Sequence, residues 1–149
     1  MSSVSIRRAT EDDVDALTPL FDAYRQFYEQ PSDPAAARDY LAARLERDEC
    51  VIFIAELDGR AVGFTLLYPT FTSTQLARLY VLNDLFVDPG ARKLGVGTQL
   101  LDAAADFGRA EGAVRLTLRT ATTNRTAQSV YEQNGWKRDD RFITYHRTL

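Results

Sequence analysis

A chain of 149 residues with 45% hydrophobic and 26% charged side chains has the composition of one ordinary globular domain. Its net charge of -3 comes with arginines scattered along the chain rather than gathered into a basic stripe, which argues against a nucleic-acid partner. No apolar run nears the roughly 18 residues of a spanning helix, "MSSVSIRRATEDD" lacks the apolar core of a secretory signal, and one cysteine, Cys50, gives neither an intrachain disulfide nor a metal cluster. A cytoplasmic protein with no metal and no membrane partner is therefore expected.

In chain order, "VSIRRAT" reads as a strand, and Thr10 as the cap of a helix with Glu11, Asp12 and Asp13 in its first turn. Val14, Leu17, Phe21, Tyr24 and Tyr28 recur at helical spacing and give that helix one apolar face, ending before Pro31. A second helix is predicted from about Pro34 to Arg47. The intervening "YRQFYEQPSD" holds three aromatics and Arg25, which suit either a core edge or a pocket wall to which Tyr24 and Tyr28 would contribute. "CVIFIAEL", the pair Asp58-Gly59 and "AVGFTLLYPTF" read as a hairpin, and "ARLYVLNDLFV" as a third antiparallel strand. Leu100, Leu101, Ala104, Phe107 and Ala110 mark a helix ending at Gly112, followed by a strand in "AVRLTLRT" and a helix from Thr126 to Asn134. Two further strands are expected around Trp136 and in "RFITYHRTL". The order describes a mixed α/β domain on one sheet, with residues 1–149 as a single domain.

Charge is uneven along the chain. Residues 1–60 carry 7 basic and 13 acidic side chains, whereas residues 61–149 carry 11 and 8. The acidic half suits solvated helix faces or a field that attracts a cationic substrate.

Between the third antiparallel strand and the next helix lies "DPGARKLGVGTQLL", a cationic, glycine-rich loop. It is not a dinucleotide fingerprint, because Leu100 occupies the third glycine position and no acid follows at the required distance. Nor is it a Walker loop, since Val96 and Gly97 stand where Lys and Ser/Thr are needed. What remains is a set of backbone N–H groups opening a helix, an arrangement that binds an anion or simply makes a tight turn.

At this point the sequence resembles the GNAT N-acetyltransferases. Their loop pattern Q/R-x-x-G-x-G/A is matched by Arg92, Gly95 and Gly97, and their second pattern, N-x-x-A-x-x-x-Y-x-x-x-G-F/W, by Asn124, Ala127, Tyr131, Gly135 and Trp136. The resemblance covers essentially the whole chain. It implies a mixed, mostly antiparallel sheet flanked by helices, with a bulged and splayed fourth strand, and acetyl-coenzyme A as cosubstrate. It also implies that Arg92, Lys93, Leu94, Gly95, Val96, Gly97 and Thr98 hold the pyrophosphate, although the family loop often has glycine where Lys93 stands. The backbone of Leu85, Phe86 and Val87 would pair with the pantetheine arm, with an N–H of Phe86 or Val87 facing the thioester oxygen. Asn124 would anchor the cofactor side, or act only as a helix cap. Tyr131 would be the acid that protonates the leaving thiolate.

"LNDLFV" further resembles the acidic strand of polyamine acetyltransferases, with Asp84, just before the expected bulge, matching the second acid and Asn83 replacing the first. Asp84 would take the proton of a primary amine or hold its ammonium, with Asn83, Tyr24 and Tyr28 as neighbours of the acceptor. A small cationic amine is the leading acceptor; a protein lysine or amino terminus, and a non-catalytic acyl-coenzyme A sensor, are the alternatives. A homodimer is expected from the family's habit and from the final strand, whose sheet edge would otherwise be unpaired.

Overall fold

The computed structural model describes residues 3–149; Met1 and Ser2, part of the amino-terminal stretch read above for a leader, lie outside the described residues. The elements are β1 (Val4–Arg8), α1 (Val14–Phe27), α2 (Pro34–Glu46), β2 (Val51–Leu57), β3 (Arg60–Thr72), β4 (Ala77–Val87), α3 (Val96–Ala110), β5 (Leu116–Thr117) and α4 (Arg125–Gln133). Thr10 caps a short 3-10 turn, Glu11–Asp13, that runs into α1, and the Thr10 N–H donates in return to the Asp13 carboxylate. Asp33 caps α2 through the Ala36 N–H, and Pro34 sits in the first turn, where its missing N–H costs nothing. No helix among the described residues is long and apolar enough to cross a membrane.

The strands form one five-stranded sheet in chain order, antiparallel from β1 to β4 and parallel between β4 and β5. Its two faces carry two clusters. Leu17, Phe21, Leu41, Ile52, Ile54, Phe64 and Leu66 pack between the sheet and the α1/α2 side, while Val62, Val96 and Leu100 join Phe53, Leu85 and Val87 under α3. Alternation explains the split along β2, where even-numbered Ile52 and Ile54 face one way and Phe53 the other.

Two register shifts break the alternation. One lies between Ala55 and Glu56, the other between Leu66 and Leu67, where Leu66 pairs with Asp84 and Leu67 with Leu82, leaving Asn83 as the extra residue in β4. The bulge therefore precedes Asp84, whereas the sequence reading set it just after. Its effect is to reverse which side of the sheet the even-numbered residues of β4 address. Before it, Tyr80 packs its ring 5.1 Å from that of Phe107 of α3; after it, Asp84 and Phe86 lie with Leu66 and Phe64 on the α1 side.

β5 is shorter than "AVRLTLRT" suggested and pairs only with Tyr80 and Val81, so among the described residues no strand covers the outer edge of β4 beyond Val81. The fourth strand is thus bulged and parts from its neighbour. The two strands expected after α4 do not form: residues 137–149 carry no strand, and Phe142, Ile143 and Tyr145 are exposed. Isolated strand-like sequence has no intrinsic stability without a partner to complete its ladder. The chain divides into two compact units, residues 1–119 and 120–149. The first contains the whole sheet with α1, α2 and α3; the second contains α4 and the segment after it.

Gly63 sets how closely α3 approaches the sheet. A Cβ there would stand 3.0 Å from the Phe86 carbonyl oxygen, 3.2 Å from Val96 Cγ1 and 3.5 Å from Leu100 Cδ1. Two of these contacts are tighter than ordinary packing and one is to backbone, so neither strand nor helix can yield cheaply. Gly63→Ala is expected to lower folding stability by about 1–3 kcal/mol, the usual cost of overpacking, and denaturant titration measures it. An unchanged midpoint would show that α3 moves freely away from β3.

Candidate active site

The α1 face of the sheet opens into a cleft of about 500 Å³. Its floor is Asp84 and Asn83, and its walls are aromatic: Phe21, Tyr24 and Tyr28 from α1 and its end, Tyr40 from α2 and Tyr68 from β3. Helical spacing explains the α1 wall, because Phe21, Tyr24 and Tyr28 fall three and four residues apart on one face. Their rings meet in sequence, Phe21 stacked on Tyr24 at 6.5 Å and Tyr24 tilted against Tyr28 at 5.0 Å between centroids. Tyr28 ends its helix with backbone bonds back to Tyr24 and Arg25.

Asp84 is buried, with only 5% of its surface exposed. Burial pushes its carboxyl above the ordinary value, and hydrogen bonds from the Tyr24 hydroxyl and the Asn83 amide oppose the shift without cancelling it. The Asn83 Nδ2 donates to Asp84 Oδ1 at 3.0 Å, the Tyr24 hydroxyl shares its single proton between Asp84 and the Asn83 carbonyl at 3.2 Å, and Thr65 Oγ1 donates to the Asp84 carbonyl at 2.8 Å. The bulge exposes these backbone acceptors, and neighbouring side chains satisfy them. Across the cleft the Tyr40 and Tyr68 hydroxyls share a short hydrogen bond, and burial and the Tyr40 contact raise the Tyr68 phenol further from ionisation. Four residues proposed from sequence as acceptor neighbours, Tyr24, Tyr28, Asn83 and Asp84, thus share one cavity.

β4 continues from this floor to the glycine loop. The Asp88 N–H donates to the Val62 carbonyl at 2.8 Å, which makes those two residues a hydrogen-bonded pair. Counting back along the antiparallel ladder, Phe86 and Asp84 also turn their amides toward β3, while Leu85 and Val87 turn theirs to the uncovered edge. The Phe86 N–H is therefore spent inside the sheet, and of the two N–H groups singled out in the sequence only that of Val87 faces outward. The Val87 carbonyl accepts from Arg92 Nε at 3.1 Å, and the Arg92 guanidinium lies 5.9 Å from the Phe86 ring centre.

Beyond Arg92 the chain turns through Lys93 and Gly95, both left-handed, at φ of 71° and 76°. Glycine adopts this geometry at no steric cost, which is the physical reason a family loop favours glycine at the position of Lys93. Gly95 then starts α3 with no side-chain cap, and a Cβ at Gly95 or Gly97 would meet nothing within 4 Å. The helix opening thus presents main-chain N–H groups without side chains in the way, next to an uncovered strand edge. These features fit a ligand with an anionic group on an extended amide-bearing arm. No group of three His, Cys, Asp or Glu side chains among the described residues is arranged to hold a metal ion. Cys50 is buried and its thiol is pushed up to about 11 by that burial, which leaves no nucleophilic thiolate near neutrality.

In the second unit, Asn124 caps α4 by accepting the Ala127 N–H at 3.2 Å, so its side chain is engaged as a cap. Tyr131 lies on the same helix, its ring 6.1 Å from that of Trp136, and the Trp136 backbone N–H donates to the Tyr131 carbonyl. The sequence reading overlooked Tyr40, Tyr68 and Asp22. Tyr40 and Tyr68 give no signal of their own, because an aromatic at a helix or strand position reads as core until the partner element is known. Asp22 is one of the few buried acids; it accepts from Ser32 Oγ at 2.7 Å, the Asp33 N–H at 2.8 Å and Gln26 Nε2 at 3.1 Å, and these bonds, led by Ser32, hold its carboxyl below the usual range. It ties the end of α1 to the start of α2 and so fixes the rim of the cleft.

Comparison with known proteins agrees with this geometry. The model of the Acetyltransferase (GNAT) family matches residues 17–136. The uncharacterised N-acetyltransferase YhfO of Bacillus subtilis (strain 168) is 51% identical over 142 residues, 95% of each chain. A crystal structure of a probable acetyltransferase is 40% identical, with a TM-score of 0.92 and 97% of each chain covered. At greater distance, the aminoglycoside N(6')-acetyltransferase type 1 of Salmonella typhimurium (strain LT2) is 28% identical over 106 residues, 69% of this chain and 73% of its own. The matched region takes in the aromatic face of α1, the bulged strand, the glycine loop and the Tyr131 helix, and the chain belongs to the GNAT family, an N-acetyltransferase with acetyl-coenzyme A as its acyl donor.

Proposed function

We propose that this enzyme acetylates a small cationic amine bound in the aromatic cleft, by direct attack in a ternary complex, as a single domain of residues 1–149. The observation that carries this reading is the buried Asp84 carboxylate at the floor of a cavity walled by five aromatic rings. Such a site favours an ammonium twice, by charge at the floor and by the ring faces along the walls. A relative named as an aminoglycoside N(6')-acetyltransferase likewise acetylates a nitrogen of a small molecule.

Acetyl-coenzyme A supplies an acyl group already activated as a thioester. Arg92, Lys93, Leu94, Gly95, Val96, Gly97 and Thr98 form the loop that receives the pyrophosphate, with the start of α3 donating main-chain N–H groups and Lys93 adding charge. Leu85 and Val87 offer the outer edge of β4 to the pantetheine amides, Phe86 supplies the ring that backs Arg92, and the Val87 N–H is aimed to hold negative charge developing on the carbonyl oxygen. A primary amine near its reference pKa of about 10 arrives protonated. Asp84 holds that ammonium and accepts its proton; a carboxyl raised by burial is a better base than an exposed one. The freed nitrogen forms the new C–N bond and sheds its second proton to solvent. As the C–S bond breaks, Tyr131 gives its hydroxyl proton to the departing sulfur and is reprotonated from solvent, to which Asp84 returns the proton it took, so that one proton is released per turnover. Asn124 positions the helix that carries Tyr131 by capping it.

The charge of the first 60 residues is not what makes the cleft cationophilic. None of their carboxylates lines it, and several are committed to ion pairs, Asp13 and Glu56 with Arg7, Asp15 with Arg38 and Glu49 with Arg44. Asp84 supplies the local charge. We further propose a homodimer in the cytoplasm, supported by the exposed Phe142, Ile143 and Tyr145 of the last segment, a strand-like sequence with no strand to pair with.

Asp84→Asn separates function from stability. Its kcat/KM toward the best amine of a panel of polyamines, amino acids, lysine peptides and aminoglycosides should fall by roughly 10²-fold, while acetyl-coenzyme A affinity holds. Because the folded state raises the Asp84 pKa, it binds the proton more tightly than the unfolded chain, and the resulting penalty is absent in acid and grows as pH rises through the folded value. The variant should therefore melt higher than wild type near pH 7, with the gain shrinking toward low pH. A variant with full activity, or an enzyme that prefers a neutral amine, would overturn the acceptor assignment. Tyr131→Phe should lose roughly 10²-fold in kcat with little change in coenzyme affinity by calorimetry; wild-type turnover would return Tyr131 to packing. Light scattering at micromolar concentration should give twice the 16.8 kDa chain mass, and a monomer rejects the dimer.

A further inference from the structure

The cleft contains one acid and one strong base. Among its lining residues, Asp84 is the sole carboxylate and Arg25 the sole cation; the rest are tyrosines, Phe21, Gln30, Asn83 and alanines. Arg25 stands in the last turn of α1, next to Tyr24, whose hydroxyl reaches the Asp84 end of the cavity. The guanidinium is held rather than consumed. Its NH1 donates to the Pro31 carbonyl at 3.2 Å, and Asp22 sits behind it at 3.9 Å, too far to take an N–H but near enough to stabilise its charge. Asp22 is meanwhile satisfied by Ser32, Asp33 and Gln26, so it does not draw the arginine away. Among the described residues one of the five guanidinium N–H groups is thus taken, and the fork is left to a ligand.

From this pairing we infer that the acceptor is a diamino-acid-like molecule, whose reacting ammonium is held by Asp84 and whose carboxylate is held by Arg25. The inference rests on the reading of the cleft as the acceptor site and narrows it. A plain polyamine places a second ammonium in the same cavity as Arg25, where like charges repel. A carboxylate there gains a charge-assisted, bidentate contact, and the aromatic walls between the two charges suit the methylene chain that joins them. A lysine inside a peptide has no free carboxylate to offer.

Two pairs of amines that differ by one carboxylate provide the test: L-lysine against cadaverine and L-ornithine against putrescine, each as acceptor at saturating acetyl-coenzyme A. In the better pair the amino acid should exceed its diamine by at least about tenfold in kcat/KM, the scale of one charged hydrogen-bonded contact. Arg25→Gln should bring that ratio down at least tenfold, and Arg25→Lys, which keeps the charge and loses the fork, should fall between. Circular dichroism checks that the variants fold; should Arg25→Gln not fold, the wild-type ratio and the Arg25→Lys ratio decide. Diamines acetylated as well as or better than their amino acids, or a ratio unchanged in a folded Arg25→Gln or Arg25→Lys, overturn the inference. If cadaverine or putrescine is then still acetylated and Asp84→Asn abolishes it, the broader cationic-amine reading stands without this refinement. If only a neutral amine is acetylated, both fall.

Discussion

One extra residue in β4 decides which face of the sheet carries the buried acid of the cleft. In a regular strand the side chains at positions 80, 82, 84 and 86 would share a face, and Asp84 would point with Tyr80 toward α3. The insertion of Asn83 into the ladder reverses the parity, so that Asp84 and Phe86 face α1 while Tyr80 keeps its contact with Phe107. The same insertion lifts the Asn83 carbonyl out of the ladder, and Tyr24 accepts the task of satisfying it. Sheet register, the acid on the cleft floor and the position of the first aromatic wall are thus one constraint.

Asp84 illustrates how such a site is sustained. A buried carboxylate is costly, and its two side-chain donors, Tyr24 and Asn83, offset only part of the desolvation. Asp22, which is equally hidden, lies at the opposite extreme: three donors surround it and its carboxyl is held low. The contrast separates their roles. Asp22 stays ionised and braces the loop from Tyr28 to Asp33 together with Arg25, whereas Asp84 is under-satisfied and receptive to a proton or to a cationic partner. Net charge over the first 60 residues would have led elsewhere, since none of those acids lines the cleft and several are paired with arginines.

Much of this is legible in the residues themselves. The cap at Thr10, the turn at Asp58-Gly59, the apolar periods of α1 and α3, and the glycine loop are local signals, and they appear where the residues dictate. The bulge was expected one or two residues late, because its position depends on which residues of β3 oppose it, and no residue type in "LNDLFV" marks that. The choice between Phe86 and Val87 as outward donor failed to resolve for the same reason: it follows from ladder parity, which a single Asp88 to Val62 bond fixes. The missing final strands are the converse case. "RFITYHRTL" has strand composition, yet a strand exists only where an edge accepts it, and composition carries no information about edges.

The geometry of β4 also explains how two substrates can be brought into register without a flexible arm. In the function proposed above, its α1-facing Asp84 belongs to the acceptor side and its outward amides, at Leu85 and Val87, to the donor side. Alternation along one strand separates these groups by a single residue, a spacing that cannot drift while β3 holds the inner edge. Arg92 closes the arrangement by bonding the Val87 carbonyl, so the loop that follows is referenced to the same strand. The cost is an uncovered strand edge in a folded protein, normally a liability for association. Here the break between β4 and β5 keeps that edge open where an amide-bearing ligand can complete the ladder, and α3, brought close by Gly63, keeps the start of the glycine loop at its end.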